Sequence, residues 1–339
     1  MTVRRTLLLT KQDVLDLINM PDVIQAVEEA YKAISRGDVV QPDYMTVEQT
    51  APGRGELDIK ACYFPGNEGI SIKFGGGGYT ENPKKYGFPT GFGMVVLFDA
   101  TTCFPVCVMD SSLITGYRTG AAGAVSVKCM ARKDARVVTS IGTGNQARNQ
   151  IRAISQVMDI REVYAYDRFP ASVEAFKRDM EAEFSIPVHC CATAQEAVSH
   201  ADVLVTTTRG TGDFIQRDWV KPGTHIAAIG ADQQGKKELD ARLFKGARVI
   251  VDSMPQCVSK GETWNALHEG IITQEEICGE LGEVLLGQKV GRASDQEITI
   301  FDTTGTAMQD NTTSFAIYHN AVKQGRGQYF DFYGVAGQD

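Results

Sequence analysis

A glycine-rich segment at residues 142–147 has the pattern of a phosphate-binding turn. It reads Gly-Thr-Gly-Asn-Gln-Ala and follows an apolar, β-branched run at residues 136–141. Gly142 permits a tight turn, Gly144 lets backbone amides approach a pyrophosphate, and Ala147 keeps helix and strand close. The amino end of the following helix adds partial positive charge. The sequence therefore predicts dinucleotide contacts from Gly142, Thr143, Gly144, Asn145, Gln146 and Ala147.

The residues after the second predicted strand bear on which dinucleotide binds. Asp167 ends that strand, where an acidic residue can hydrogen-bond the adenosine ribose hydroxyls. Its carboxylate would repel the 2′-phosphate of NADP, which favours NAD, whereas Arg168 beside it could receive that phosphate. Thr206 and Thr208 end the fourth predicted strand, at the open edge of the sheet, and are further predicted cofactor contacts.

Strands and helices alternate from residue 135 onward. Predicted strands cover residues 136–141, 162–167, 188–191, 203–208, 225–230 and 248–252, and predicted helices cover 146–158, 171–183 and 194–200. This alternation is typical of an α/β fold with a doubly wound parallel sheet.

The two ends of the chain have a different character. The spacing of apolar residues predicts helices over 11–36, divided at Pro21 and ended by Gly37, and a further helix over 307–324 before a polar tail. Short runs at 57–63, 70–74, 93–98 and 104–109 predict antiparallel strands, and residues 7–9 predict a first strand. Four glycines at 75–78 are interpreted as a flexible connection, and the small residues of 112–130 as a closely packed helix.

Composition excludes several classes of function. The net charge is −8, from 34 basic and 42 acidic residues spread along the chain, so nucleic acid is not expected as a partner. No membrane span and no signal peptide are expected, which predicts a cytoplasmic protein. The eight cysteines are expected to be thiols, with Cys103, Cys107, Cys190 and Cys191 buried. The five histidines have no ligand spacing, so no metal is expected; His225 is interpreted as a core residue.

Five segments, at residues 87–99, 109–121, 141–147, 230–240 and 301–310, resemble the ornithine cyclodeaminase/mu-crystallin family in the same order. The most specific are Met109-Asp110-x-x-x-Ile-Thr115-x-x-Arg118-Thr119 and Gly230-Ala-Asp232-x-x-Gly-Lys-x-Glu238-Leu239. The resemblance implies a Rossmann-type NAD-binding domain at 116–304, inserted into an α+β domain at 1–115 plus 305–339. The latter would bind substrate and form a homodimer.

The resemblance also implies the roles of individual residues. Lys73 and Arg118 match the family's ligands for a substrate carboxylate, and Asp232 matches an aspartate that handles protons at the substrate amine. Lys73 and Asp232 are therefore the predicted catalytic residues. Without the resemblance, Lys73 on a strand and Arg118 on a helix would be interpreted as solvated surface groups. Asp232 would be interpreted as a turn residue. Thr303 and Gly305 match a turn near the active site and are predicted substrate contacts, while Thr119 and Asp232 are assigned to the cofactor.

Two positions differ from parts of the family pattern. Tyr44 stands where many members carry an arginine, and Cys62 where ornithine-specific members carry a glutamate. Lys60 lies two residues before Cys62, hence on the same strand face. These residues favour a small imino or keto acid with a neutral or acidic side chain over ornithine, because a thiol cannot balance a buried ammonium.

The sequence leaves several functions open. Reduction of iminosuccinate to L-aspartate fits best if Lys60 points inward, and an alanine dehydrogenase-like reaction fits if it does not. An ornithine cyclodeaminase, a lyase with catalytic NAD, is a second possibility. A mu-crystallin-like NAD(P)H-dependent binding protein is a third.

Overall fold

A computed structural model describes residues 5–49 and 55–334. The chain divides into two compact units, one formed by Met1–Arg118 with Ala307–Asp339 and the other by Thr119–Thr306. We call them the outer unit and the inner unit, after their places in the sequence.

The elements are numbered in chain order. The strands are β1 (Thr6–Leu9), β2 (Met45–Glu48), β3 (Glu56–Phe64), β4 (Gly69–Gly77), β5 (Gly93–Asp99), β6 (Pro105–Asp110), β7 (Val137–Ile141), β8 (Glu162–Tyr166), β9 (Val188–Cys190), β10 (Val203–Thr206), β11 (Thr211–Ile215), β12 (His225–Ala228), β13 (Lys237–Leu239), β14 (Arg248–Val251), β15 (Gly279–Glu280), β16 (Thr299–Asp302) and β17 (Gln328–Phe330). The helices are α1 (Lys11–Leu17), α2 (Met20–Arg36), α3 (Asn82–Lys85), α4 (Ser112–Met130), α5 (Asn145–Ile154), α6 (Pro170–Phe184), α7 (Ala194–His200), α8 (Met254–Cys257), α9 (Gly261–His268), α10 (Leu281–Leu285) and α11 (Ala307–Gln324).

The outer unit is built on a sheet with strand order β17-β1-β6-β5-β4-β3-β2. Neighbours are antiparallel except for β1 and β6, which run parallel. Helix α11 packs on β3, β4 and α2. It approaches β4 closely because Gly69 has no side chain: a Cβ there would lie 1.8 Å from the Phe315 ring. One sheet face is therefore covered by helix.

Helix α2 shows how local sequence sets the ends of these elements. The Asn19 side chain accepts a hydrogen bond from the backbone N–H of Asp22, and Pro21 occupies the first turn, where its missing N–H costs nothing. Gly37 ends the helix in the left-handed conformation, at φ 76°. The predicted division at Pro21 and the predicted end at Gly37 are both confirmed.

The inner unit contains the predicted doubly wound parallel sheet, with strand order β15-β14-β16-β12-β10-β7-β8-β9. Every pair in it is parallel. Strands β11 and β13 form a second, smaller parallel sheet. His225 in β12 is fully buried between the hydroxyls of Ser126 and Thr299, at 3.0 and 2.9 Å, and burial lowers its pKa to about 3. It is a neutral core residue, as predicted.

Several predictions of secondary structure and burial were wrong. The sheet of the inner unit also contains β15 and β16, which the sequence analysis missed, and the polar tail contains β17, paired with β1. Cys103 and Cys190 are exposed and Cys191 is only half-buried, whereas Cys107 is buried as predicted. Among the described residues, no helix has both the length and the apolar character that crossing a membrane requires.

The four glycines at 75–78 are not a flexible connection, because the first three complete β4. Gly76 lies opposite Leu57 of β3, and its N–H donates to the Phe92 carbonyl at 2.8 Å. A Cβ on Gly91 would lie 2.0 Å from the carbonyl oxygen of Gly76. Glycine is used here because backbones pass close to each other.

Candidate active site

The predicted phosphate-binding turn joins β7 to α5. Gly142 has φ 95°, a conformation that side-chain-bearing residues rarely adopt, and a Cβ there would lie 2.8 Å from the Thr207 hydroxyl. Gly144 is the N-cap residue of α5, and the space that its Cβ would occupy has no atom within 4 Å. Ala147 is fully buried. The turn thus combines an open approach with the amino end of a ten-residue helix.

Asp167 follows β8 directly and is bound to the same turn. Its Oδ2 accepts hydrogen bonds from the backbone N–H of Thr143 at 3.0 Å and the Thr143 hydroxyl at 3.1 Å. Its Oδ1 accepts from the N–H of Phe169 at 3.1 Å. Arg168 is exposed, with its guanidinium 4.7 Å from the centre of the Phe169 ring. The negative charge therefore lies at the glycine turn, and the arginine stacks on a surface aromatic ring.

A buried carboxylate connects the ends of β10 and β12. Glu238 accepts hydrogen bonds from the backbone N–H of Thr208 at 2.6 Å and of Gly230 at 3.1 Å. A Cβ on Gly230 would lie 2.3 Å from Glu238 Oε2, so this position requires glycine. Burial raises the pKa of Glu238 to about 7, and its hydrogen bonds from the backbone of Thr208 and Gly230 partly oppose that rise. The loops that carry Thr208 and Asp232 are therefore held by one side chain.

The other predicted residues of the inner unit lie in two different settings. Asp232 is half-exposed and forms an ion pair with Lys236. Thr303 and Gly305 wrap around Asp252, whose Oδ2 accepts from the Thr303 hydroxyl at 2.6 Å and the Gly305 N–H at 2.7 Å. The roles of Asp232, Thr303 and Gly305 towards substrate stay predictions.

The two predicted carboxylate ligands, Lys73 and Arg118, lie together in the interior of the outer unit. Each is only 7% exposed. Lys73 Nζ donates to Asp310 Oδ1 at 2.9 Å and to the Thr115 hydroxyl at 2.6 Å. Arg118 Nε donates to the same Asp310 oxygen at 3.2 Å, and its Nη1 donates to Gln309 Oε1 at 3.3 Å. These are not the solvated surface cations that composition alone would suggest.

Electrostatics explain the state of this group. Burial lowers the pKa of Lys73, Asp310 opposes that fall, and Arg118 adds to it. The pKa of Asp310 is held below its usual value by Lys73, Arg118 and Lys60, against the effect of burial. Two buried cations and one buried anion leave net positive charge, which suits an organic acid.

Lys60, with Tyr44 and Cys62, the two residues that depart from the family pattern, lies on the sheet face that also carries Lys73. Lys60 in β3 lies directly opposite Lys73 in β4, and directly opposed residues point to the same side. Lys60 Nζ lies 5.1 Å from the centre of the Tyr44 ring. Cys62 is buried, with Sγ 3.6 Å from Met308 Sδ, and burial raises its pKa to about 12. This position is a neutral thiol in apolar surroundings.

The sequence analysis missed Asp310, Thr115 and Asp252 as members of these groups. Asp310 is the last residue of one of the resembling segments. It lies in a run of polar residues from Gln309 onward that α11 buries, and this run was the signal in the sequence that could have identified it. Glu238 was named only as part of a pattern. The outer unit thus contains a buried cationic group, and the inner unit contains a glycine turn with an acidic residue.

A parallel sheet whose strand leads through such a turn into a helix defines a dinucleotide-binding fold. The chain belongs to the ornithine cyclodeaminase/mu-crystallin family, whose model matches residues 4–325.

Solved structures similar over nearly the whole chain include three enzymes. An archaeal alanine dehydrogenase dimer with bound NAD has a TM-score of 0.91 and 38% identity, over 97% of this chain and 100% of that one. The Thermococcus litoralis Δ1-pyrroline-2-carboxylate reductase, in complex with NADH and L-proline, has a TM-score of 0.90 and 31% identity, over 95% and 99%. The iminosuccinate reductase of Paracoccus denitrificans, in complex with NAD+, has a TM-score of 0.90 and 30% identity, over 97% and 100%.

Proposed function

We propose that the protein is an NAD-dependent oxidoreductase that reduces a small imino acid to an L-amino acid. The observation that carries this proposal is the buried pair of cations, Lys73 and Arg118, in a chain that also has a dinucleotide turn. Charge-assisted hydrogen bonds from two directions would fix the substrate carboxylate. The three similar solved enzymes are named for reactions of amino or imino acids, and their structures contain NAD, NADH or NAD+.

The residues of the inner unit fit the cofactor. Gly144 leaves open space at the amino end of α5 for a pyrophosphate, and Asp167 offers a carboxylate to the ribose hydroxyls. Bound NADH supplies the hydride that reduces the C=N bond. Asp232, which is half-exposed, would exchange the proton that the substrate nitrogen requires. The balance is imino acid, NADH and one proton giving amino acid and NAD+.

Domain roles follow the same division. We assign substrate binding and dimerisation to the outer unit, predicted as residues 1–115 with 305–339, and cofactor binding to the inner unit, predicted as residues 116–304. The boundary between the compact units follows Arg118, so this arginine belongs with the substrate-binding residues. The assignment of substrate binding rests on the cationic group of the outer unit, and that of cofactor binding on the glycine turn of the inner unit.

Within this class we propose iminosuccinate, with L-aspartate as product. Lys60 shares a sheet face with Lys73, so this face carries a third cation that could attract a second substrate carboxylate. Cys62 argues against ornithine, because a buried neutral thiol cannot balance its terminal ammonium. Pyruvate with ammonia is the alternative, and an archaeal alanine dehydrogenase is among the similar structures.

We further propose that a second copy of the chain covers one face of the outer unit's sheet, the face opposite to the one that carries Lys73. Met45, Ile59, Phe74 and Met94 lie opposite one another across β2 to β5, on the side away from Lys73. Met45 is 61% exposed and Met94 is 49% exposed. An apolar row of this extent is typical of an association surface, and one similar structure is a dimer.

The test is an initial-rate panel with NADH and NADPH as reductants. Oxaloacetate with ammonia should exceed pyruvate with ammonia, and NADH should exceed NADPH. Lys60→Met should lower kcat/KM for oxaloacetate on the order of 10- to 100-fold and change the pyruvate value little. Lys323→Met, on the exposed end of α11, is the matched control.

The possible contrary outcomes are distinct. A preference for pyruvate that Lys60→Met leaves unchanged would replace iminosuccinate by alanine chemistry. Conversion of ornithine to proline without net NADH change would make the protein a cyclodeaminase. NADH binding without turnover of any acid in the panel would favour a binding protein.

A further inference from the structure

Asp310 occupies an unusual position among the residues of the outer unit. Asp310 is 1% exposed and lies in the first turn of α11. One oxygen, Oδ1, accepts a hydrogen bond from Lys73 of β4 and another from Arg118 of α4. Three elements that are distant in sequence therefore meet at a single carboxylate oxygen.

The second oxygen of this carboxylate indicates that Asp310 does more than pack. Among the described residues, Asp310 Oδ2 is buried and has no hydrogen-bond partner. Burying a carboxylate oxygen in this state costs free energy, and an apolar side chain of similar size would avoid that cost. Without Asp310, however, Lys73 and Arg118 would face each other as two buried like charges. The two cations therefore explain why a carboxylate, rather than an apolar side chain, is buried at this position.

We propose that Asp310 is a positioning residue that holds Lys73 and Arg118 side by side for a substrate carboxylate and keeps Lys73 protonated in the interior. The inference rests on the proposed function, which it deepens: it concerns how the acid-binding group is maintained before substrate arrives. Asp310 itself is not a ligand of the substrate in this account.

The charged groups around Lys73 determine what removing Asp310 would do. Asp310 of α11 and Asp58 of β3 raise the Lys73 pKa, whereas burial and Arg118 of α4 lower it. Lys60 faces Lys73 from β3 and adds positive charge on the same sheet face. Asp310→Asn removes the largest of the effects that raise the Lys73 pKa, so Lys73 should lose its proton at a lower pH.

The experiment compares pH profiles of kcat/KM for wild type, Asp310→Asn and Asp310→Glu, with saturating NADH. Asp310→Asn should move the alkaline limb to lower pH by at least about one pH unit, as expected for loss of an adjacent opposite charge. Asp310→Glu, which restores the charge, should move the limb back towards wild type. Asp16→Asn, which removes an exposed carboxylate paired with Arg326, should leave the profile unchanged.

A readout without turnover separates this inference from the proposed function. Binding of succinate, an unreactive dicarboxylate, is measured by calorimetry from pH 6 to pH 10 in the presence of NAD. The upper pH limit of binding should fall in Asp310→Asn as in the kinetic profile, with the NADH Kd unchanged. If wild type turns over no imino acid, the proposed function fails and the succinate titration still decides the inference.

The inference is overturned if Asp310→Asn keeps the wild-type alkaline limit in both measurements. It is equally overturned if Asp310→Asn and Asp310→Glu shift that limit by the same amount, since the charge would then be irrelevant. Wild-type protein that neither turns over an imino acid nor binds succinate would overturn both proposals together.

Discussion

Replacing Glu238 by glutamine should change how stability depends on pH. Burial raises the folded-state pKa of this side chain from 4.5 to about 7. The folded protein therefore holds the Glu238 proton more tightly than the unfolded chain does. This contribution to stability is complete below pH 4.5 and is lost as the pH rises through about 7, the direction expected for a carboxylic acid with a raised pKa.

The size of the effect follows from the same two values. A rise from 4.5 to about 7 corresponds to roughly 3 kcal/mol, most of which is lost between pH 5 and pH 8. Glutamine cannot ionise, so Glu238→Gln removes this dependence. It also leaves the backbone N–H of Thr208 or of Gly230 without an acceptor, because the amide NH2 only donates, at a cost of about 1–3 kcal/mol that does not vary with pH. Relative to wild type, Glu238→Gln should therefore gain stability as the pH rises.

The assay is urea unfolding at pH 5, 6, 7 and 8, followed by tryptophan fluorescence. Trp219 and Trp264 are the two tryptophans of the chain, and both lie in the inner unit with Glu238. Glu183→Gln, which removes an exposed carboxylate paired with Arg152, serves as the control. A free-energy difference between wild type and Glu238→Gln that stays constant from pH 5 to pH 8 would refute the reasoning.

Three further substitutions test separate parts of the account. Gly142→Ala should raise the NADH Kd at least about tenfold, because its φ of 95° and the nearby Thr207 hydroxyl both oppose a Cβ; an unchanged Kd in a fluorescence titration would count against it. Asp167→Ala should raise the ratio of NADPH to NADH kcat/KM by about tenfold, because it removes a negative charge from the turn, and initial rates with both cofactors measure this. Gly123→Ala should destabilise the protein by about 1–3 kcal/mol, because its Cβ would lie 1.9 Å from Gln150 Oε1; an unchanged Tm would contradict this.

Local patterns in the sequence were sufficient to predict much of the inner unit. The glycine turn, the acidic residue after β8 and the alternation of strands and helices each depend on neighbouring residues. Helices α4 and α11 have the predicted bounds of 112–130 and 307–324. Strand β15 has two residues, which is too short for a clear periodicity. Strand β16 has four residues, as β10 and β12 have, and its apolar Ile300 and Phe301 were a signal that the sequence analysis did not use.

Predicting the candidate site of the outer unit required contacts between distant parts of the chain, which local sequence patterns do not show. Asp310 is 237 positions from Lys73 and 192 from Arg118, so their meeting depends on the tertiary fold. The face on which Lys60 lies relative to Lys73 is set by the register of β3 against β4. The resemblance supplied the roles of Lys73 and Arg118; it covered Asp310 as the last residue of a segment but gave this carboxylate no role.

The most direct test of the central claim compares wild type with Arg118→Ala in two measurements, kcat/KM for the preferred imino acid and the Kd of NADH. Loss of one partner of a buried charged hydrogen bond costs about 2–5 kcal/mol, which corresponds to a fall in kcat/KM on the order of 30- to 4,000-fold. The Kd of NADH should stay unchanged, as should both values in the exposed control Arg161→Ala. Turnover by Arg118→Ala at the wild-type rate and KM would contradict the claim that this arginine holds the substrate carboxylate.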